Sequence, residues 1–161
     1  MEGTNQMSDD YFRLLIETTK TSNLFVIVIT RYMKSNFVPC NFQQLILLHF
    51  LMKIGGNAYP QEINAGLDLQ GIGGFSKNYS YNFKELLRNG FVIQKQGKDM
   101  GLDRRCVYYH MTDKGKEIYK NICVHFGHEI KRMQEYLGWD EDNFKDYFDD
   151  LEALQGYMKN S

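Results

Sequence analysis

The chain has 161 residues, and its 19 Lys and Arg against 20 Asp and Glu give a formal net charge of −1. This balance argues mildly against a nucleic-acid binder, because such domains are usually basic. A content of 43% hydrophobic and 24% charged residues is typical of a folded protein and excludes a disordered or fibrous chain. Three scattered cysteines do not make a disulfide framework. The longest apolar run, residues 24–29, is far shorter than the roughly 18 residues of a membrane span. We therefore expect a soluble, cytoplasmic protein with no membrane partner.

The first predicted helix runs from residue 11 to about residue 35. Ser8 is a plausible capping residue, followed by two acids that favour a helix start. Apolar residues recur at helical spacing, and neither Gly nor Pro interrupts the segment. The β-branched stretch 26–29 favours a strand instead, so the pattern leaves both open there.

Three further helices are predicted before residue 90. Asn41 and Gln44 fit a capping box at the start of a second helix, which Gly55 and Gly56 end. Pro60 begins a short third helix over residues 61–67, and the glycines of 71–74 predict a turn. The fourth helix covers about residues 77–88.

The chain then changes character. Residues 91–93 and 106–109 are β-prone segments separated by a polar stretch, which predicts a hairpin with a long tip. Thr112 caps a fifth helix, whose apolar stripe continues to about residue 137. Gly138 interrupts it, and the acids of 140–142 open a sixth helix.

The order helix, turn, helix, hairpin is that of a winged helix, whose second helix enters the DNA major groove. We predict a mostly α fold with a small β-hairpin wing (α+β), a winged helix-turn-helix with terminal helices forming a dimerisation region. Residues 1–40 and 113–161 are assigned to that region. Residues 41–112 form the DNA-binding domain, with the wing at about 91–111.

The fourth helix has two different faces. At 100° per residue, one side carries Phe75, Tyr79, Phe83, Leu86 and Leu87, while the opposite side carries Lys77, Tyr81, Lys84 and Arg88. Asn78 and Ser80 flank the N-terminal end, where short polar side chains suit base edges or phosphates. A solvated helix face is the alternative interpretation. Against it, residues 76–120 contain ten Lys and Arg but five acids, a net +5, whereas residues 138–152 carry a net −6. The overall neutrality therefore hides a segregated charge distribution.

Two motifs give a more specific indication. Asp103-Arg104-Arg105 and the later Met111-Thr112-Asp113-Lys114-Gly115 resemble the wing signature of MarR-family transcriptional regulators, and residues 86–92 resemble that family's passage from recognition helix to wing. Residues 80–84, with Gly73 and Gly74 upstream, are similar to an alphaproteobacterial subgroup with an Asn-x-Ser-Tyr-Asn recognition helix. Asn82, which belongs to this motif, joins the predicted DNA contacts. The motif-bearing part spans about residues 58 to 115.

The wing supplies further predicted DNA contacts. Two residues apart on a strand, Asp103 and Arg105 share a face, so the carboxylate can hold the guanidinium extended towards a narrow minor groove. The resembling family assigns these positions the same role. The alternative is a local ion pair of little energetic consequence. Arg104 is expected on phosphate, with Lys95 and Lys98 adding sequence-independent attraction.

The resemblance also implies assembly and regulation. Helices one, five and six are apolar beyond what a small core covers, and the family builds a two-fold dimer from its terminal helices. A symmetric dimer predicts a pseudo-palindromic operator on double-stranded DNA. The family's usual control is repression released by a small lipophilic or aromatic effector. The candidates for the effector cleft are Tyr32, Phe37, His49 and Phe50, although aromatic residues at helical spacing are often core residues instead.

Other chemistries have less support. His125, His128 and Cys123 suggest a metal site, yet Cys123 and His128 lie about 140° apart on the helical wheel, so one ion cannot bind both without other ligands. No nucleotide-binding, nucleophile-elbow or zincin motif is present, so we expect neither an enzyme nor a bound cofactor or metal. The alternatives left open are a winged-helix protein-interaction module without DNA readout and a metal- or redox-sensing variant of the same fold.

Overall fold

The computed structural model describes residues 2–69, 79–101 and 103–160. Within these ranges the chain forms six α-helices, three short strands and one 3₁₀ turn. In chain order they are α1 (Glu2–Ser35), α2 (Phe42–Lys53), β1 (Asn57–Ala58), α3 (Pro60–Leu69), α4 (Tyr79–Arg88), β2 (Val92–Gln96), the 3₁₀ turn (Gly97–Met100), β3 (Val107–Met111), α5 (Asp113–Leu137) and α6 (Glu141–Lys159).

Helix α1 is longer than predicted. It begins at Glu2, so Ser8 lies within the helix and the predicted start is wrong. The β-branched residues 26–29 are helical, because such residues cost only a fraction of a kcal/mol each and the flanking segments favour a helix. After Ser35 the chain turns, and the N–H of Val38 donates to the carbonyl of Met33 at 2.8 Å.

The predicted capping box at the start of α2 is confirmed. The Asn41 side chain accepts from the backbone N–H of Gln44, and the Gln44 side chain accepts from the backbone N–H of Asn41, each at 2.9 Å. Two donors that a helix start leaves without intrahelical partners are thereby satisfied. The helix ends at Lys53, and Ile54 separates it from the predicted glycine pair.

The sheet has three antiparallel strands in the order β1-β3-β2, where the sequence predicted only a two-stranded hairpin. Val92 pairs with Met111 and Gln96 with Val107 across the wing. On the other edge of β3, Asn57 pairs with His110 and Ala58 with Tyr109. A two-residue strand is too short to show an alternating pattern, so the sequence gives no signal for β1.

Buried residues between positions 47 and 111 form a hydrophobic core among α2, α3, α4 and the sheet. Leu48, Leu51, Ile63, Phe83 and Phe91 have no exposed surface. Burial of each such side chain contributes roughly 1.5–3 kcal/mol. Phe83 also stacks on Tyr109 with ring centroids 4.2 Å apart, which adds to the packing of α4 on β3.

The junction between the wing and α5 explains the Thr-x-x-Gly part of the motif. Thr112 Oγ1 accepts from the N–H of Gly115 at 3.0 Å, as predicted for a capping residue, and donates to the carbonyl of Gly90 at 2.7 Å. A Cβ on Gly115 would lie 2.2 Å from the carbonyl oxygen of Phe91, so only glycine fits this approach.

The chain divides into two compact units, residues 1–119 and 120–161. In the second unit, Gly138 has a φ of +65° between the two helices, as its predicted helix break requires. Asp140 caps α6 through a capping box with Asn143. The Trp139 ring packs edge-on against Phe144, with centroids 5.2 Å apart. No helix within residues 2–69, 79–101 and 103–160 is long and apolar enough to cross a membrane.

Candidate nucleic-acid interface

Helix α4 has the two faces that the helical wheel predicts. Phe83 and Leu86 are fully buried, whereas Tyr81 is 61% exposed and Lys84 is exposed beside it. The helix packs on α2 and β2, and its opposite side faces solvent. The predicted residues Lys77 and Asn78, with Phe75, lie outside the described residues.

The two ends of the exposed face carry different polar groups. Ser80 is exposed in the first turn of α4. Arg88, in the last turn, pairs with Glu85 at 2.5 Å while its side chain stays 73% exposed. The exposed face therefore presents a hydroxyl, an aromatic ring and two cations along one helix.

Asn82 is not part of this face, contrary to the prediction. It is 1% exposed and lies on the packed side of α4. Its Nδ2 donates to Gln43 Oε1 at 2.9 Å, so its amide is engaged within the protein. The Asn-x-Ser-Tyr-Asn motif places Asn82 one residue after Tyr81, and one step along a helix turns a side chain by 100° away from its neighbour.

The wing arginine is held by Asp103, but in a turn rather than on a strand. Residues 103–106 precede β3, so the predicted shared strand face is wrong. Asp103 Oδ1 accepts from the backbone N–H of Arg105 at 3.0 Å, and Oδ2 lies 3.3 Å from Arg105 Nη2. These hydrogen bonds from Arg105 lower the pKa of Asp103, and the Arg105 side chain remains 90% exposed. The predicted pairing of carboxylate and guanidinium is thus present.

A close backbone approach anchors this turn to the wing tip. The N–H of Gly97 donates to the carbonyl of Cys106 at 2.9 Å, and a Cβ on Gly97 would lie 1.9 Å from the carbonyl oxygen of Asp103. Arg104 and Lys98 are exposed on this tip, whereas Lys95 is half-buried on β2 opposite Tyr108.

The four predicted effector residues lie in different environments. Phe50 is in the core, Phe37 is 91% exposed, and Tyr32 is half-buried on α1. His49 Nδ1 lies 2.6 Å from the Tyr119 hydroxyl, and burial, with a smaller effect of Lys53, lowers the pKa of His49. Phe50 is thus a core residue, as the alternative interpretation allowed, whereas Phe37 is a surface residue, which neither interpretation predicted.

A different set of residues lines a cleft of about 450 Å³ in the first unit. It lies between the C-terminal half of α1 and the segment that leads into α2. Its lining consists of Val26, Thr30, Met33, Lys34, Val38, Cys40, Asn41, Phe42 and Gln43. Burial raises the pKa of the Cys40 thiol to about 11, so this thiol is protonated at neutral pH. None of the four predicted aromatic or histidine residues is among the lining.

The other cysteines and the histidine pair form no metal site in the described part of the chain. Cys106 is half-buried beside the wing turn, and Cys123 is exposed on α5. His125 lies 3.7 Å from Glu129, one helical turn along. Within residues 2–69, 79–101 and 103–160, no three His, Cys, Asp or Glu side chains are grouped to hold an ion.

The fold is that of winged-helix regulators of the MarR type. AbsC, a MarR-family transcriptional regulator from Streptomyces coelicolor, superposes with a TM-score of 0.68 at 11% identity, over 92% of this chain and 93% of that one. AbfR of Staphylococcus epidermidis gives a TM-score of 0.69 at 19% identity, over 98% and 99%. An organohalide-sensing RdhR regulator gives 0.69 at 15%, over 91% and 80%.

Among curated proteins, the chain is similar to the uncharacterised HTH-type transcriptional regulator YkoM of Bacillus subtilis. The two are 34% identical over 105 residues, which cover 65% of this chain and 60% of YkoM. The match thus spans less than two thirds of that relative. No family model matches the chain.

Proposed function

We propose that the protein is a sequence-specific DNA-binding transcriptional regulator that acts as a homodimer and is not an enzyme. The observation that carries the proposal is the presence of two features in the same chain: an exposed cationic face on α4, and an exposed wing arginine, Arg105, that Asp103 holds in place. Helix α4 would enter the major groove and the wing the minor groove, as in winged-helix recognition. AbfR, which shares the fold, has been solved bound to DNA, and this supports the assignment.

The proposed DNA-contacting residues fall into groups according to whether they would contact the major groove, the minor groove or phosphate. Ser80, Tyr81 and Lys84 would meet base edges and nearby phosphates in the major groove, with Arg88 at the end of the helix. Lys77 and Asn78 are proposed to extend this set towards the start of the helix. Arg105 would enter the minor groove, where a narrow A·T-rich segment attracts guanidinium. Arg104, Lys98 and Lys95 would contact phosphate.

The terminal helices are proposed to form the dimer. Large apolar side chains on α1, α5 and α6 are 40% to 90% exposed in the single chain, among them Leu24, Phe25, Tyr136, Phe148 and Tyr157. Extensive exposed apolar surface on a helix is typical of a protein–protein contact, whereas single exposed apolar residues are not. A two-fold dimer would place two α4 helices about one helical turn of DNA apart, which requires a pseudo-palindromic operator.

We also propose that a small lipophilic or aromatic molecule binds the cleft and releases a repressor from DNA. The cleft walls are mainly apolar, and Lys34, Asn41 and Gln43 provide polar groups to orient a ligand. The RdhR regulator of the same fold has been solved with 2,4-dichlorophenol bound. The effector set is therefore revised from the four residues predicted to those that line the cleft.

The test is selection of bound duplexes from a random pool with the full-length protein. We expect enrichment of a pseudo-palindrome whose half-sites are about 10 base pairs apart. The enriched duplex should bind at least about 1000-fold more tightly than a scrambled duplex, the lower end for specific regulators. Failure to enrich any sequence would contradict the proposal and favour a winged helix that contacts only proteins.

A further inference from the structure

Four amide side chains form a cluster beneath α4. They are Asn41, Gln43, Gln44 and Asn82, called the amide cluster below. Asn82 Nδ2 donates to Gln43 Oε1 at 2.9 Å, while Asn82 Oδ1 accepts from Asn41 Nδ2 at 3.4 Å and from Gln44 Nε2 at 3.5 Å. One residue of α4 is thus hydrogen-bonded to two residues in the first turn of α2 and to its capping residue.

Burial makes these bonds consequential. Asn82 is 1% exposed and Gln44 is 5% exposed, so water has little access to these two amides, whereas Gln43 is half-buried and Asn41 is exposed at the edge of the cluster. No side-chain nitrogen or oxygen buried in the described part of the chain is without a hydrogen-bond partner. Because a buried amide without a partner is costly, the cluster favours one placement of α4 over its neighbours.

A second attachment lies at the other end of α4. Asn89 Nδ2, just after the last helical residue, donates to the carbonyl of Pro39 at 3.1 Å. The segment 39–44 therefore holds α4 at its middle and beyond its C-terminal end. Apolar contacts of Phe83 and Leu86 supply affinity between the helices, but they are not directional. The amide hydrogen bonds are directional and define rotation and register.

We infer that Asn82 is a positioning residue, which sets the orientation of the recognition helix through the amide cluster and does not itself contact a base. This inference rests on the proposed DNA-binding function. It assigns Gln43, a residue outside the DNA-facing surface, a share in sequence discrimination. Loss of the cluster leaves the cations of α4 in place but lets the helix adopt more than one rotation.

The experiment is a double-mutant cycle with Asn82→Ala and Gln43→Ala, measured on the selected duplex and on a scrambled one. Each single substitution should lower the affinity for the selected duplex by about tenfold and leave the affinity for the scrambled duplex unchanged, because phosphate contacts remain. The double variant should bind like the weaker single variant, since both substitutions break the same bond. Gln43→Glu, which keeps an oxygen acceptor for Asn82 Nδ2, should retain most of the specific affinity.

A direct base contact by Asn82 gives a different pattern. Gln43→Ala would then bind like the wild type, and the effects of the two substitutions would simply add. Either result overturns the inference. Gln61→Ala, which removes an exposed amide from α3, serves as the matched control and should change neither affinity.

Hydrogen exchange on the free protein tests the cluster without DNA. Backbone amides of α4 should exchange faster in both alanine variants, while those of α5 and α6 keep their protection. Unchanged exchange in α4 would refute the positioning role even if DNA binding is established. If no duplex can be selected, the proposed DNA-binding function is contradicted. The hydrogen-exchange data still test separately whether the amide cluster positions α4.

Discussion

Replacement of Arg105 by alanine separates DNA recognition from folding. The Arg105 side chain is 90% exposed and its partner Asp103 is 45% exposed, so water already solvates both. An ion pair of this kind contributes little to stability, and the unfolding midpoint should stay at the wild-type value. Because the guanidinium is exposed and already held, its removal costs one groove contact. We expect an affinity loss of roughly 1–3 kcal/mol, or about 5- to 150-fold, for the selected duplex.

Asp103→Asn refines this prediction. The asparagine oxygen can still accept from the backbone N–H of Arg105, the 3.0 Å bond that defines the turn, but the ion pair is lost. Its affinity loss should therefore be smaller than that of Arg105→Ala. The dimer should remain intact in both variants.

The assay is fluorescence anisotropy with the selected duplex over a range of salt concentrations. Arg104→Ala should weaken binding to all sequences and reduce the salt slope by about one, as a phosphate contact does. Arg132→Ala is the matched control, because Arg132 is also exposed and paired with a neighbouring carboxylate, but on α5. If Arg105→Ala and Arg132→Ala bind equally well, the wing does not read DNA and the reasoning is wrong.

Three further predictions concern the fold and its assembly. Gly115→Ala should lower the free energy of unfolding by about 1–3 kcal/mol, because the added Cβ would meet the Phe91 carbonyl oxygen. Gly127→Ala, where the added Cβ would point into open space on α5, should instead raise the free energy of unfolding by up to about 1 kcal/mol. If chemical denaturation gives the same change for both variants, the close approach at Gly115 is contradicted. Desolvation by burial lowers the pKa of His49 and His110, so NMR titration should place both below 6.5. Their contribution to stability is then complete above pH 6.5 and declines as the pH falls from 6.5 towards the lowered values; titration of both at or above 6.5 would refute this. Phe148→Asp should dissociate the dimer in sedimentation experiments without loss of helix content, and an unchanged dimer would exclude this part of α6 from the interface.

The sequence predicted those features that local chemistry determines. The capping box of Asn41 and Gln44 depends on residues three apart, and the structure confirms it. The division of α4 into a packed face and an exposed face follows from the 3.6-residue period of a single helix, so it can be read from local sequence. The junction of Thr112 and Gly115 was predicted from a short motif, and the structure supplies its reason in the Phe91 carbonyl.

The features that the sequence did not predict depend on residues far apart in the chain. Asn82 and Gln43 are 39 residues apart, and no periodic pattern indicates that their amides meet. Strand β1 has only two residues and is defined by its partner β3. The cleft depends on how the end of α1 approaches the segment before α2, so aromatic spacing along one helix could not locate it.

The most direct test of the central claim is the salt dependence of binding to the selected duplex. If Lys84, Arg88, Lys95, Lys98 and Arg104 each neutralise one phosphate, the logarithm of the binding constant should fall against the logarithm of salt concentration with a slope of roughly −4 to −5 per protomer, and about twice that for a dimer. A flat response, or a slope that is the same for a protein lacking these five cations, would contradict DNA binding through α4 and the wing.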